Sequence, residues 1–359
     1  MKIPKLNING LIAEIPIVQG AMGIGVSGPC LAAAVANEGG VGVLAGVNLG
    51  HDEPDFYSDK LKADLRALKK QLLKVRDLSP KGIIGINLMV AMNHYDELAR
   101  AAAQGGIDLI ISGAGLPTKL PEYVKGFKTR IAPIVSSGKA ARVILRYWEK
   151  NYGRTADMIV VEGPEAGGHL GFTEELLTSK DRTPVMDIVR EVIEMIKPFK
   201  EKFNVDIPVI AAGGIYSGED IAECIKGGAS GVQMATRFVA TDECDADIKF
   251  KEEYLAATED DIVILRSPVG MPGRAINNKF LKDVAIENKK IASCVDCLQT
   301  CDPKVSPYCI STALINSVTG NVDEGLVFAG SNVYRVDKIV TVKELIGELV
   351  HDAELALDS

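Results

Sequence analysis

The sequence lacks the features that would place it at a membrane or on a nucleic acid. No apolar run reaches the roughly 18 residues that a membrane-spanning helix needs. The start, Met1 to Lys5, is not followed by the apolar stretch of a secretory signal. Basic residues are fewer than acidic ones: there are 40 Lys and Arg against 48 Asp and Glu, which gives a net charge of −8. We therefore expect no binding to a phosphate backbone or an anionic membrane.

Cysteine is present, but not in the pattern of a disulfide scaffold. There are seven cysteines, an odd number, in a chain of 359 residues. Disulfide frameworks are typical of short secreted chains with even counts. We therefore expect reduced cysteines and a cytoplasmic protein.

Apolar residues and glycine are abundant. Hydrophobic residues make up 47% of the chain, and 35 residues are glycine. Such a chain can bury a large core, which excludes wholesale disorder. Its length fits either two domains or one α/β barrel with a small addition.

Short apolar runs alternate with longer amphipathic segments over the first 240 residues. The short runs are rich in Val and Ile and carry no charge before their last residue, which is typical of parallel strands buried on both faces. The predicted strands are Ile15–Gln19, Gly40–Leu44, Ile83–Leu88, Leu109–Ser112, Ile131–Ser136, Met158–Glu162, Val209–Ala212 and Gly231–Met234. The predicted helices between them are Pro29–Asn37, Lys60–Val75, Tyr95–Ala103, Pro121–Phe127, Ala140–Tyr152, Pro184–Phe203 and Gly218–Lys226.

Eight strand-helix alternations favour a closed parallel (β/α)8 TIM barrel, of the α/β class, over an open doubly wound sheet. The eighth helix is predicted near Asp247–Ala257. The alternation ends at about Glu259, and a last helix is predicted over Val342–Leu357. We predict a barrel over residues 1–258 and a small subdomain or lid over residues 259–359.

Most glycine clusters directly follow predicted strands, as at Gly20–Gly23, Gly113–Gly115, Gly167–Gly168 and Gly213–Gly214. Active sites of barrel enzymes are built from the loops at the carboxyl ends of the strands. The pattern therefore places the chemistry at this end of the barrel.

One histidine lies in such a loop. His169 follows Glu162 and the pair Gly167-Gly168, at the end of the sixth strand. Small residues let the backbone approach a flat ligand, and an imidazole can move protons near neutral pH. His169 is therefore our candidate catalytic residue, with a turn histidine as the structural alternative.

Two further stretches have the position of a phosphate-binding site. Gly213-Gly214 leaves the seventh strand, and Gln233-Met234-Ala235-Thr236 leaves the eighth. Barrels often bind phosphate in these two loops, through free backbone N–H groups. Asn87 ends the third strand, and Lys139 follows the fifth. An amide can bind the edge of a heterocycle, and a cation would stabilise a reduced flavin.

Four cysteines fall close together in the C-terminal part: Cys294, Cys297, Cys301 and Cys309. The spacing of the first three is compatible with iron–sulfur ligation. Zinc fits less well because paired C-x2-C units are absent. We favour reduced thiols in a compact loop, and thus no metal, with the cluster as the alternative.

Together these motifs resemble the nitronate monooxygenase family, which includes FMN-dependent enoyl-acyl-carrier-protein reductases. The resemblance extends over about residues 10–280 and keeps the motifs in order. They are Gln19-Gly20-Ala21-Met22, Gly85-Ile86-Asn87, Glu165 to Gly171, Ala212-Gly213-Gly214-Ile215 and Gln233 to Phe238.

The resemblance implies FMN as cofactor and a role for each matching residue. His169 matches the catalytic histidine. The cofactor-binding residues that we predict are Gly20, Ala21, Met22, Asn87, Lys139, Glu162, Gly167, Gly168, Gly213, Gly214, Gln233, Met234, Ala235 and Thr236. Two positions depart from the family pattern. Many nitronate oxidisers have Gln at the position of Glu162, and a Gly is usual at the position of Ala235.

The resemblance allows two chemistries on one site. A nitronate monooxygenase oxidises alkyl nitronates with O2 to carbonyl compounds and nitrite, with His169 as base. An enoyl reductase uses NAD(P)H to reduce an enoyl thioester, with His169 assisting protonation. We favour the first because of the long C-terminal part, whereas Glu162 favours the second. A non-catalytic flavin-binding barrel is a third alternative. The expected partner is a small-molecule substrate, and a homodimer is assumed without sequence evidence.

Overall fold

The eight predicted strands close into one parallel barrel in the computed structural model, which describes residues 1–359. Each strand pairs with the next along the chain, and the eighth returns to the first, with Val232 opposite Ile17. The barrel strands are Ile17–Gln19, Val41–Ala45, Ile83–Met89, Leu109–Gly113, Arg130–Val135, Ile159–Glu162, Val209–Ala212 and Gly231–Met234. The predicted TIM barrel is confirmed.

The helices surround this barrel and extend beyond it. The α-helices are Pro29–Asn37, Lys60–Leu78, Tyr95–Gln104, Leu120–Tyr123, Gly138–Tyr152, Glu174–Thr178, Val185–Phe203, Gly218–Lys226, Thr236–Val239, Ile248–Ala256, Lys279–Ile286, Ile310–Val318 and Val342–Asp358. Short 3-10 turns occupy Glu259–Asp261, Val322–Glu324 and Val333–Arg335. None of the helices combines the length and the apolar composition that crossing a bilayer demands.

Helix starts follow the local sequence signals. The Ser217 hydroxyl accepts a hydrogen bond from the N–H of Asp220, and the Asp220 carboxylate accepts one from the N–H of Ser217. This reciprocal pair satisfies two backbone donors at the start of the helix after the seventh strand. Pro29 opens the first barrel helix, where its missing N–H costs nothing.

The inside of the barrel is filled by aliphatic side chains from most of its strands. Val18, Val43, Ile111 and Val160 are among those with almost no solvent exposure. A two-stranded hairpin, Leu6–Ile8 with Leu11–Ala13, packs Leu6 and Ile8 into the same cluster. The interior is thus a packed core that can support a site at the opposite end.

The position of the eighth barrel helix differs from the prediction. Residues 248–256 do form a helix, but it packs near the 3-10 turns of the C-terminal part. The C-terminal helix Val342–Asp358 instead packs against Pro29–Asn37 and Gly218–Lys226, the helices that follow the first and seventh barrel strands. Its capping box at Thr341 and its apolar face allow it to fill that place. The boundary after residue 258 stays a prediction.

We expect Leu349→Ala to destabilise the protein by about 2–5 kcal/mol, because it leaves a cavity between this helix and the barrel. Leu349 is fully buried, whereas Leu355 on the same helix is 59% exposed. Leu355→Ala is therefore the matched control and should cost less than about 0.5 kcal/mol. Denaturant unfolding of both variants measures the difference, and equal losses would contradict this placement of the helix.

Candidate functional site

A cavity of about 450 Å³ opens at the carboxyl ends of the barrel strands. This volume is within the usual range for sites that bind cofactors and small molecules. Its wall contains most of the residues predicted from the sequence. They are Gly20, Ala21, Met22, Asn87, Glu162, Gly167, Gly168, His169, Gly213, Gly214, Gln233, Met234, Ala235 and Thr236.

The loop Gly20–Met22 is held by a buried glutamine at the end of the first strand. Gln19 is fully buried, and its amide donates to the carbonyl of Gly20 and to Ser27 Oγ at 2.6 and 2.9 Å. Ser27 Oγ also accepts from the N–H of Met22 at 2.8 Å. These contacts fix a loop of small residues against the cavity, where a flat ring can approach the backbone.

Three polar side chains reach the cavity without a hydrogen-bond partner inside the protein. Asn87, Glu162 and Gln233 lie at or near the carboxyl ends of the third, sixth and eighth strands and line the wall, and none of them donates or accepts a side-chain hydrogen bond within the chain. Two amides and a carboxyl can together match the donors and acceptors of a heterocycle.

His169 is held at the cavity by a small sheet outside the barrel. Gly168–His169 pairs with Pro272–Ile276, which pairs in turn with Ile262–Arg266. His169 Nε2 lies 2.7 Å from Ser267 Oγ, and its ring meets the Phe328 ring edge-on at 5.0 Å between centroids. The Nδ1 atom has no partner within the chain. The ring is thus oriented through one nitrogen, and the other remains available.

Burial changes the acid–base properties of the two titratable groups in opposite directions. It lowers the pKa of His169 to about 4 because the imidazolium form loses its hydration. It raises the pKa of Glu162 to about 7 because the carboxylate form is penalised. At neutral pH the site therefore holds a neutral imidazole and a carboxyl that is about half protonated.

We expect Glu162→Gln to stabilise the ligand-free protein at pH 8 by up to about 3 kcal/mol. A carboxyl with a raised pKa costs nothing while protonated in both states, and the penalty develops as pH rises from 4.5 to about 7. The variant should thus match the wild type at pH 4.5 and exceed it at pH 8 in urea unfolding. Glu201→Gln, at an exposed position on helix Val185–Phe203, is the control. A gain that is the same at both pH values would contradict the raised pKa.

The glycine loops after the sixth, seventh and eighth strands form a narrow cradle of backbone. Gly213 and Gly214 have φ of +92° and +84°, and a Cβ at Gly213 would lie 2.9 Å from the N of Ala166. A Cβ at Gly167 would lie 2.5 Å from the carbonyl carbon of Ala329. The N–H groups of Gly214 and Ala235 donate no hydrogen bond to the backbone. Free N–H donors in a cradle without side chains suit a phosphate group.

A buried arginine keeps the loop after the sixth strand in shape. Arg274 is 2% exposed, and its guanidinium donates to the carbonyls of Pro164, at 2.8 Å, and Ala166. Both carbonyls belong to the loop that leads to Gly167. A distant strand, Pro272–Ile276, therefore sets the local geometry of the cradle.

The role of several residues of the site could not be predicted from the sequence. Phe328, Ala329 and Gly330 line the cavity, and Asn332 Nδ2 donates to the carbonyl of Gly214 at 2.7 Å. Ser267 contacts His169 from the turn between two strands of the small sheet. These residues lie about 100 or more positions from their partners, and no local motif marks them.

Lys139 and three of the four clustered cysteines are predicted residues that do not line the cavity. Lys139 is exposed on the first turn of helix Gly138–Tyr152 and does not line the cavity. Its contact with a cofactor stays a prediction. Of the four clustered cysteines, Cys297 lines the cavity, whereas Cys294 is exposed.

The family model described as nitronate monooxygenase matches residues 6–352 of the chain. This chain belongs to the nitronate monooxygenase family. The resemblance seen in the sequence motifs is thereby confirmed, and membership makes the protein an oxidoreductase enzyme.

Three relatives of this nitronate monooxygenase family member cover nearly its whole length. A Rhodococcus jostii (3aS,4S,5R,7aS)-5-hydroxy-7a-methyl-1-oxo-octahydro-1H-indene-4-carboxyl-CoA dehydrogenase is 28% identical, over 96% of this chain and 94% of the relative. A probable nitronate monooxygenase of Bacillus subtilis is 25% identical, over 94% and 95%. The solved structure of FabK from Thermotoga maritima is 26% identical, with a TM-score of 0.73 over 96% and 94%.

Proposed function

We propose that this protein is an FMN-dependent nitronate monooxygenase, which oxidises alkyl nitronates with O2 to carbonyl compounds and nitrite. The observation that carries the proposal is the position of His169, held through Nε2 by Ser267, at a cavity lined by glycine loops and by the amides of Asn87 and Gln233. The name of the Bacillus subtilis relative supports the same activity.

The wall of the cavity has groups that suit both the flat ring of FMN and its phosphate. Gly20, Ala21 and Met22 offer a backbone surface for the ring, and Asn87 offers an amide for its edge. The free N–H groups of Gly214 and Ala235 suit the phosphate. When bound, FMN supplies the electron transfer between substrate and oxygen, which no side chain can supply.

His169 is placed to remove a proton from a neutral nitroalkane. In the tautomer with the proton on Nε2, that N–H donates to Ser267 Oγ and the lone pair of Nδ1 has no competing partner. The apolar surroundings keep the ring neutral, so that it can accept a proton from the substrate carbon. Ser267 and Phe328 fix the orientation of the ring.

A second candidate is an NAD(P)H-dependent oxidoreductase of an unsaturated thioester. Glu162 favours it, because a carboxyl with a pKa of about 7 can donate a proton to a substrate carbon at neutral pH. The Rhodococcus jostii relative is named for a CoA thioester, and FabK is a structural neighbour. The two candidates share the cavity and differ in the source of electrons.

Anaerobic mixing separates these candidates. The yellow protein is mixed with a short alkyl nitronate in one trial and with NADPH or NADH in another, and its absorbance is followed. We expect fast reduction by the nitronate and slow or no reduction by the nucleotides. Fast bleaching by a nucleotide alone would overturn the proposal in favour of the reductase. No reduction in either trial would indicate a non-catalytic flavin-binding barrel.

The expected partner is a small molecule, and the homodimer stays a prediction. Sedimentation equilibrium of the full chain would test it, since the monomer has a mass of 38.4 kDa.

A further inference from the structure

The proposed function leaves one sequence motif without a role. Cys294-x2-Cys297-x3-Cys301 lies between helix Lys279–Ile286 and helix Ile310–Val318, and Cys309 immediately precedes the second of these. All four thiols are free of disulfides. Four cysteines within sixteen residues are a complete thiolate set for an iron–sulfur cluster.

The segment with the cysteines is fixed beside the catalytic cavity. The N–H of Asn93 donates to the carbonyl of Cys297 at 3.2 Å, and Asn93 Nδ2 donates to that of Asp296 at 2.6 Å. Gln299 Nε2 donates to the carbonyl of Met92 at 3.1 Å. These contacts attach the segment to the loop after the third barrel strand. Cys297 and Leu298 then line the same cavity as Gly20 and His169.

Three of the four sulfur atoms each have one hydrogen-bond partner. Ser311 Oγ donates to Cys297 Sγ at 3.0 Å, and the N–H of Asp296 donates to Cys294 Sγ at 3.4 Å. Cys301 Sγ lies 3.6 Å from Ser306 Oγ. Hydrogen bonds to the cysteine sulfurs are among the contacts by which proteins tune iron–sulfur clusters.

The four thiols differ in exposure: Cys297 is buried, and Cys301 and Cys309 are half-buried. Cys294 is the exposed member of the set. No three His, Cys, Asp or Glu side chains lie within ligating distance of a common point in this structure. Residues 288–295 and 300–308, on either side of the held stretch, form no helix or strand, so these loops can move Cys294 and Cys301 toward Cys297 when a cluster binds.

We propose that Cys294, Cys297, Cys301 and Cys309 bind an iron–sulfur cluster at the edge of the catalytic cavity. Binding converts four thiols to thiolates and releases four protons, as metal binding to cysteine requires. The Ser311 hydroxyl and the Asp296 N–H remain as donors to two of the ligating sulfurs. Zinc is the weaker alternative, because structural zinc sites pair two separate C-x2–4-C units, whereas the two such spacings in this segment share Cys297.

The iron and acid-labile sulfide contents of the full chain test the proposal, after anaerobic purification and reconstitution with ferric and ferrous iron and sulfide. We expect about four irons and four sulfides per chain, or two of each for the smaller cluster. Dithionite reduction should add an EPR signal distinct from that of a flavin. The readout does not depend on activity or on bound flavin, so its outcome is separate from that of the proposed function.

Cysteine variants locate the site. Cys297→Ser and Cys301→Ser should each lower bound iron at least fivefold, whereas Cys30→Ser and Cys224→Ser, outside the segment, should retain it. Circular dichroism and flavin content show whether each variant is folded. Less than about 0.2 iron per reconstituted wild-type chain, stoichiometric zinc in place of iron, or equal iron in all four variants would overturn the proposal.

Discussion

His169→Ala should lower turnover of a neutral nitroalkane by about 10²–10⁴-fold while FMN stays bound. The reason is that the variant loses the neutral base at the cavity, and no other imidazole lines the wall. The effect on a preformed nitronate should be about tenfold or less, because its proton has already been removed. Steady-state oxygen consumption with both forms of one substrate measures this split.

The control for this prediction is His351→Ala, since His351 is exposed on the C-terminal helix. It should leave both activities unchanged. Full activity of His169→Ala on the neutral nitroalkane would show that another group is the base. With a pKa of about 4, His169 should also produce no protonation step near pH 6.5 in the activity of the wild type, and the acid limb should appear near pH 4.

Gly213→Ala should weaken FMN binding by at least about 100-fold, which corresponds to about 2.7 kcal/mol. A methyl group there meets backbone atoms, the N of Ala166 at 2.9 Å and the carbonyl oxygen of Gly163 at 3.0 Å. Backbone atoms cannot rotate away, so the loops after the sixth and seventh strands must separate. Separation of these loops displaces the N–H groups that suit the phosphate.

Gly126→Ala is the matched control for this change. Gly126 has a φ of +88°, close to the +92° of Gly213, but a Cβ there would meet nothing within 4 Å. Both variants carry the cost of a left-handed alanine, about 1–2 kcal/mol of stability. Only Gly213→Ala should lose cofactor, as measured by titration of the flavin-free protein with FMN and its fluorescence. Equal FMN affinity of the two variants would contradict the proposed phosphate cradle.

The barrel could be predicted because its strands are marked locally. Runs such as Val209–Ala212 are short, apolar and followed by glycine. Such a run predicts a strand buried on both faces without any information about distant residues. The eighth helix could not be placed in this way. Residues 248–256 and 342–358 both have a helical pattern, and only packing against the barrel decides which of them fills the gap.

The residues of the candidate site also fall into two groups, those that could be predicted from the sequence and those that could not. The glycine loops, Asn87 and His169 could be placed at the cavity from the sequence, because each lies near or just after the carboxyl end of a barrel strand. Tertiary structure alone decided that Arg274 shapes the loop of Pro164, that Ser267 and Phe328 orient His169, and that Cys297 reaches the cavity. The physical reason is that strand and turn propensities act over a few residues. Contacts between segments 100 residues apart depend on the shape of the completed barrel, and so do the opposite pKa shifts of Glu162 and His169.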